Sequence, residues 1–266
     1  MQVGTGGTGS YLARQVARLA SLLRTQGRDV SVMLVDPDIV ESANVARQDF
    51  SQAEIGLPKA RVLALRYSAA FGIEIQTVIA RFHPKMVARI LSSWWETLII
   101  LCAAVDNAAA RTSLAEALHL AGQRSAEVPR VWWLDCGNNT RDAGQVLLGS
   151  TNAVPDLVDA FALPGYCRKL PSPALQHPEL LVPLPEEQEG NQLSCEQLLA
   201  ANTQSLVINQ FVAAHAAAML SELLITQRLR RFATYFALES GIATSKYITP
   251  LCMARVIDQD PAFFRR

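Results

Sequence analysis

The first residues able to do chemistry stand near the start of the chain. Val3-Gly4-Thr5-Gly6-Gly7-Thr8-Gly9-Ser10 follows a strand stub and leads into a helical pattern over Tyr11–Leu23. Gly4, Gly6 and Gly9 have GxGxxG spacing, with Gly7 inside it. Glycines there let the backbone turn tightly and lie against a phosphate. The free N–H groups at the helix start add donors and a positive dipole end. The next strand ends on Asp36, where a carboxylate can take ribose hydroxyls. Together these features specify a nucleotide and leave its class open.

The residues that follow bear on the class. Asp36-Pro37-Asp38 is succeeded by Asn44, Arg47 and Gln48, then by Lys59. Asn44, Arg47 and Gln48 stand at i, i+3 and i+4, so on a helical turn they share one face. Two amides flanking a guanidinium suit phosphate and ribose oxygens, and the guanidinium can bind phosphate through two parallel hydrogen bonds. Lys59 opens a helical pattern and is one of only 4 lysines against 20 arginines, so its place in a motif carries weight. A dinucleotide's pyrophosphate is less charged than a triphosphate, which makes a dehydrogenase using NAD the weaker alternative. Asp106-Asn107 follows an apolar strand ending at Val105, and Arg111 lies one turn further on. Position alone leaves Asp106 two roles. It is a carboxylate beside magnesium and phosphate at the carboxyl end of a strand, or the N-cap of the next helix.

Cys195, in Gln192-Leu193-Ser194-Cys195-Glu196, starts a helical pattern after a proline-rich stretch. A helix N-terminus favours thiolate, so Cys195 reads either as a nucleophile or as a small packed residue. Cys167 is a weaker alternative nucleophile, while Cys102 and Cys136 lie in apolar strands and read as core. Five cysteines without a CxxC support neither a disulfide framework nor a local zinc site, and His83, His119, His177 and His215 have no ligand spacing.

The elements that must position these residues are legible from periodicity. With 266 residues, 50% hydrophobic and 18% charged, the chain is far from a disordered composition. Its formal net charge of zero gives no support to nucleic-acid binding by the molecule as a whole, although a local basic patch is compatible with it. Strand-like runs at Val30–Val35, Ile73–Ala80, Leu98–Val105, Val131–Cys136 and Gln145–Gly149 interleave with helical patterns at Lys59–Phe71, stopping at Gly72, and Asn107–Ala121. The spacing predicts an α/β fold, a Rossmann-like and mostly parallel sheet with helices on both faces. Residues 1–151 are expected to form this nucleotide-binding core, with a short central strand at Met1–Val3. Residues 152–194 hold seven of the 13 prolines and an acidic run at Glu186–Glu189, which predicts an irregular crossover loop. Residues 195–266 are expected to complete the same domain with a helix over Thr203–Leu224 and a β-hairpin, Ala233–Glu239 with Ala243–Ile248. The apolar stretch Leu206–Ile225 carries Asn209, Gln210, His215, Ser221 and Glu222, so it reads as a buried helix and not as a membrane span. The opening glycines do not have the pattern of a secretory leader, and a cytoplasmic protein is expected.

Five motifs in order carry a resemblance. Gly4-x-Gly6-Gly7-x-Gly9-Ser10, Asp36-x-Asp38-x-Val40, Asn44-x-x-Arg47-Gln48, Ile55-Gly56-x-x-Lys59-Ala60 and Asp106-Asn107-x-x-x-Arg111 resemble the ThiF/MoeB family, the bacterial branch of the ubiquitin-activating enzymes. The stretch from Cys195 through Asn209-Gln210 resembles, more narrowly, the ThiF-type protein of bacterial PRTRC gene clusters. The resemblance implies an adenylating enzyme that uses ATP and magnesium on the C-terminal carboxylate of a small ubiquitin-like, β-grasp protein ending in glycine. It implies a glycine loop on the nucleotide, Asp36 on its ribose, Asp38, Asn44, Arg47, Gln48 and Lys59 around ribose and phosphates, and Asp106 at the magnesium and α-phosphate. Cys195 would take the activated carboxylate as a thioester, ahead of a downstream conjugating partner. A homodimer is implied, and no zinc, membrane or nucleic-acid partner is expected. The chain departs from the family pattern at Ala43, where serine is common, and in lacking the two zinc-binding CxxC pairs. Two alternatives stand beside this reading: a nucleotide-binding scaffold for a ubiquitin-like partner without turnover, and adenylation of a non-protein, tRNA-type carboxylate.

Overall fold

A computed structural model gives the fold; it describes residues 1–93, 96–122, 129–138, 142–163, 165–183 and 207–265. One eight-stranded sheet runs through these residues: β1 (Gln2–Val3), β2 (Val32–Val35), β3 (Ile75–Val78), β4 (Ile99–Ala103), β5 (Val131–Asn138), β6 (Ala143–Gly149), β7 (Arg231–Ala237) and β8 (Ile242–Tyr247), in the spatial order β3-β2-β1-β4-β5-β6-β7-β8. The β3-β2-β1-β4-β5 half is parallel, and β6, β7 and β8 extend it antiparallel. The mostly parallel α/β sheet expected from the sequence is therefore present. Chain direction from β1 splits at β4, which makes the β1/β4 boundary the topological switch point where such sheets bind ligands.

The apolar runs become strands because both faces are covered. On β4, Ile99, Leu101 and Ala103 face one core cluster while Ile100 and Cys102 face another. On β5, Val131 and Trp133 alternate with Trp132, Leu134 and Cys136 in the same way. Helices α1 (Gly7–Thr25), α3 (Lys59–Phe71) and α7 (Ile208–Ser221) cover the face to which Ile100 and Cys102 point. Helices α4 (Lys85–Ser93) and α5 (Ala108–Gly122) cover the other. Helix α3 stops where Gly72 turns left-handed at φ 63°, a conformation that costs glycine nothing. The central strand is as short as the sequence suggested. Gln2 and Val3 pair with Leu34 and Val35 on one side and Cys102 and Ala103 on the other, and the Met1 amino group donates to the Ile100 carbonyl at 2.9 Å.

After β6 the described part of the proline-rich stretch forms short turns of helix, including α6 (Pro173–Gln176), which Ser172 caps by accepting from the Leu175 N–H. Leu157, Ala160 and Leu170 of this stretch are fully buried against the sheet. Helix α7 (Ile208–Ser221) then crosses beside α1, burying Val212, Ala213, Ala216 and Leu220. Small alanines on both helices let their axes approach closely. From Ile208 to Thr226 the segment is long and apolar enough to cross a bilayer by composition, yet its buried face is part of the main core. A π-helical turn, Glu222–Thr226, leads to the β7–β8 hairpin and to α8 (Pro250–Val256).

Candidate nucleotide site

The glycine loop closes because two of its glycines have no room for a side chain. Gly4 has φ +87°, and a methyl group there would lie 2.4 Å from the Ala104 carbonyl oxygen; at Gly9 it would lie 2.2 Å from the Gly4 oxygen. Buried Gln2 fixes the same turn by donating from Nε2 to the Gly4 and Gly9 carbonyls at 3.0 and 2.7 Å. Gly6 differs: a methyl group there would have only Gln48 Nε2 within reach, at 3.9 Å. The loop thus leaves Gly6 facing space, with the start of α1 beside it.

Asp36 directly follows β2 and is 5% exposed. Its carboxylate accepts the Thr5 N–H at 2.6 Å and the Asp38 N–H at 2.8 Å, so it ties the glycine loop to the turn after β2. A carboxylate oxygen has two acceptor sites, which leaves capacity for ribose hydroxyls. Asn44 and Gln48 are buried on the short helix α2 (Ser42–Val45) and the turn after it, with Arg47 half-buried between them. Asn44 Oδ1 accepts the Glu41 N–H at 2.9 Å and completes a capping box. Among the described residues, Gln48 Oε1 and Arg47 Nε are buried without a partner, atoms that a ligand would satisfy. Lys59 at the start of α3 is 7% exposed and pairs with the largely exposed Asp38 at 3.3 Å. An exposed partner can be displaced by a phosphate. The 42–58 loop is clamped to α3 by Arg66, which reaches Glu54 at 2.6 Å and Asp49 at 3.3 Å, while Tyr67 donates to Asp49.

Asp106 is exposed at the end of β4, two residues past the carbonyl that Gly4 packs against. It does not cap α5. Asn107 does, accepting the Ala110 N–H at 2.8 Å, and its amide donates to Asp106 at 3.2 Å. Arg111 holds this corner by donating to the Val105 carbonyl at 2.8 Å and to fully buried Asp135 at 3.4 Å. Burial pushes the Asp135 carboxyl above the usual range, against the pull of Arg111. Among the described residues no group of three or more His, Cys, Asp or Glu gathers at one point. A magnesium ion here would be held by Asp106 with phosphate oxygens, the usual pattern for that ion.

The structure therefore brings Gly4, Gly6, Gly7, Gly9, Asp36, Asp38, Asn44, Arg47, Gln48 and Lys59 into one connected site, with Asp106 across the switch point. Cys195 lies outside the described residues. Cys167 is held protonated, its thiol pushed up to about 12 by burial despite its bond to the Lys169 carbonyl, and Cys102 and Cys136 are buried in the core. Sequence reasoning gave no role to Asn209. It is 3% exposed at the start of α7 and sits directly over Gly7. It accepts from Thr8 Oγ1 at 3.0 Å and from Asn138 at 3.1 Å, and donates to the Arg47 carbonyl at 3.5 Å. An amide opening an otherwise apolar helix was the available signal.

Comparison with known proteins agrees with this geometry. Residues 2–128 match the ThiF family model. The chain is 32% identical over 114 residues to ubiquitin-activating enzyme E1 2 of Arabidopsis thaliana, covering 41% of this chain and 10% of that protein. Its fold is similar to the crystal structure of PaaA (TM-score 0.55, 15% identity, 93% of this chain and 64% of that one). It is similar also to E. coli MccB with ATP (TM-score 0.55, 15% identity, 97% and 66%) and to E. coli MccB with AMPCPP and MccA (TM-score 0.53, 15% identity, 94% and 64%). The chain spans a tenth of the plant relative and under two thirds of the PaaA chain. With the five ordered motifs folded into one site at the switch point, the match to the ThiF family spans residues 2–128, the part of the chain that carries the glycine loop, Lys59 and Asp106.

Proposed function

We propose that this chain adenylates a carboxylate with ATP, and that the carboxylate is the C-terminus of a small ubiquitin-like, β-grasp protein. The observation that carries the reading is the joining of the glycine loop and Asp36 to Asn44, Arg47, Gln48 and Lys59, a cation-bearing set suited to a triphosphate. In the reaction a substrate carboxylate oxygen attacks the α-phosphorus, the bond to the departing pyrophosphate breaks, and an acyl-adenylate forms. Negative charge builds on phosphate oxygens, which Arg47 and Lys59 are placed to stabilise. Asp106 would hold magnesium, which supplies further charge neutralisation there. Asp36 would orient the ribose, and holding two anions in line is itself a large part of the rate. The similarity of the fold to MccB solved with ATP, and with AMPCPP and MccA, supports a nucleotide and a second substrate on this scaffold.

The test is ATP–pyrophosphate exchange by the purified chain with a β-grasp protein ending in glycine. Exchange that depends on the partner's terminal carboxylate is expected. ATP binding without exchange would point to a scaffold, and exchange driven only by a tRNA-type carboxylate would replace the substrate. If Cys195 then takes the acyl group as a thioester, a conjugate removed by thiol reductant forms in the wild type and is absent in Cys195→Ala, with adenylation retained.

A further inference from the structure

A second charged cavity lies far from the glycine loop. Helix α7 meets the loop through Asn209, and its far end, Ser221, lies 12 residues on, about 18 Å away. There a cavity of about 710 Å³ is lined by Glu222, Thr226, Arg228, Arg230, Arg231 and Tyr247. Three guanidiniums face one carboxylate. Arg231 pairs with that carboxylate, Glu222, at 2.8 Å and keeps a buried Nε without a partner among the described residues. Arg228 and Arg230 are exposed and make no ion pair among the described residues. Arg28 reaches the same helix end and donates to the Leu224 carbonyl at 2.6 Å. In a chain of zero formal charge this is a strong local concentration of cations.

The backbone is bent out of its regular forms around this cavity in three independent ways. Glu222–Thr226 is π-helical, a rare form that occurs mostly as single turns and frequently at functional sites. Gln227 follows at φ 51°, a left-handed conformation uncommon for a residue with a side chain. The β7–β8 pairing then shifts register between Arg231 and Ala233, a bulge of the kind that re-aims side chains. Together these bring Arg228, Arg230 and Arg231 to one concavity, although neighbouring strand residues normally point to opposite faces.

We propose that this cavity is a second anion site that takes a phosphate group, borne by a small molecule or by a nucleic-acid backbone. Guanidinium forks match phosphate oxygens in pairs, the Thr226 hydroxyl adds a donor, and half-exposed Tyr247 offers a face for a base. The site is independent of the adenylation reading and does not use the glycine loop.

The test titrates the full chain by calorimetry with inorganic phosphate, with a short oligothymidylate and with a polyglutamate peptide. The same titrations are run on Arg228→Ala/Arg230→Ala and, as a control for loss of one surface cation elsewhere, on Arg61→Ala, an exposed residue of α3. Both arginines are exposed, so the double variant is expected to keep the wild-type thermal transition; Arg228→Glu serves as a second variant. The expected result is phosphate-probe binding weakened about tenfold or more in the Arg228 and Arg230 variants and unchanged in Arg61→Ala. Binding of inorganic phosphate and the oligonucleotide alike assigns a free phosphate, and binding of the oligonucleotide alone assigns a nucleic-acid backbone. No binding of either phosphate probe, equal binding by the Arg228 and Arg230 variants, or tighter binding of polyglutamate than of both would overturn the proposal.

Discussion

A methyl group would meet different things at Gly6 and Gly9, three residues apart in one loop. At Gly9 it would lie 2.2 Å from the Gly4 oxygen, a backbone atom that cannot give way; at Gly6 it would have only Gln48 Nε2 nearby, at 3.9 Å. Gly9→Ala is expected to cost about 1–3 kcal/mol of folding stability, measurable by denaturant unfolding. Gly6→Ala should fold with near wild-type stability and lose ATP affinity by calorimetry; a stable Gly6→Ala protein that binds ATP normally would show that the loop does not face the ligand. Asp106 allows the same separation. Asn107, not Asp106, caps α5, so Asn107→Ala should lower stability by about 1 kcal/mol. Asp106→Ala should leave the melting temperature nearly unchanged and abolish ATP–pyrophosphate exchange. Retained exchange in Asp106→Ala would remove it from the reaction.

The 42–58 segment has little buried apolar surface of its own, and polar contacts with α3 hold it. Arg66 spans Glu54 and Asp49, and the Glu54–Ser51 capping box closes the turn. For Glu54, burial pushes the carboxyl up, but the hydrogen bonds from Arg66 and Ser51 outweigh it and hold it below the usual glutamate range. A depressed carboxyl contributes stability that is present above its unfolded pKa and is lost as pH falls through the folded one. Glu54→Gln should therefore cost about 1 kcal/mol near neutral pH, with the difference from wild type closing in acid. A gap that persists unchanged below the carboxylate range would assign the cost to packing. The other support is Asn209, whose buried carbonyl accepts from Thr8 and Asn138; Asn209→Ala should cost about 1–3 kcal/mol and weaken ATP binding. How much of this was legible follows from the kind of signal each element leaves. Residues Lys59–Phe71 announce themselves by helical spacing and a terminal glycine, and β4 and β5 by unbroken apolar runs. Helix α4 was silent because nine residues burying only Val87 and Leu91 make too narrow a stripe. The cation-bearing set was readable as residue types at helical spacing. The Asn209 contact was not, because it joins residues 201 positions apart and no local pattern encodes such a distance. The π turn after α7 likewise has no compositional mark.

The candidate site draws on parts spread along the whole molecule: the β1 loop, the end of β2, the 42–59 segment, the end of β4 and the start of α7. A ligand that touches all of them binds only the folded chain, so it stabilises the chain by mass action. At a free concentration about 100 times its dissociation constant the gain is about 2.7 kcal/mol. For a chain of this size that corresponds to a rise in melting temperature of roughly 5–10 °C. ATP with magnesium should give a shift of this order, because a triphosphate engages Arg47 and Lys59 as well as the glycine loop. NAD has the ribose and the pyrophosphate but not the extra charge, so at equal concentration its shift should be clearly smaller. Lys59→Ala should cut the ATP shift and leave the NAD shift nearly as it was, since the lysine answers to the charge that only ATP has. Differential scanning calorimetry on the two proteins with the two ligands gives four numbers. A larger shift with NAD, or an ATP shift insensitive to Lys59, would sink the triphosphate reading and return the glycine loop to dinucleotide binding.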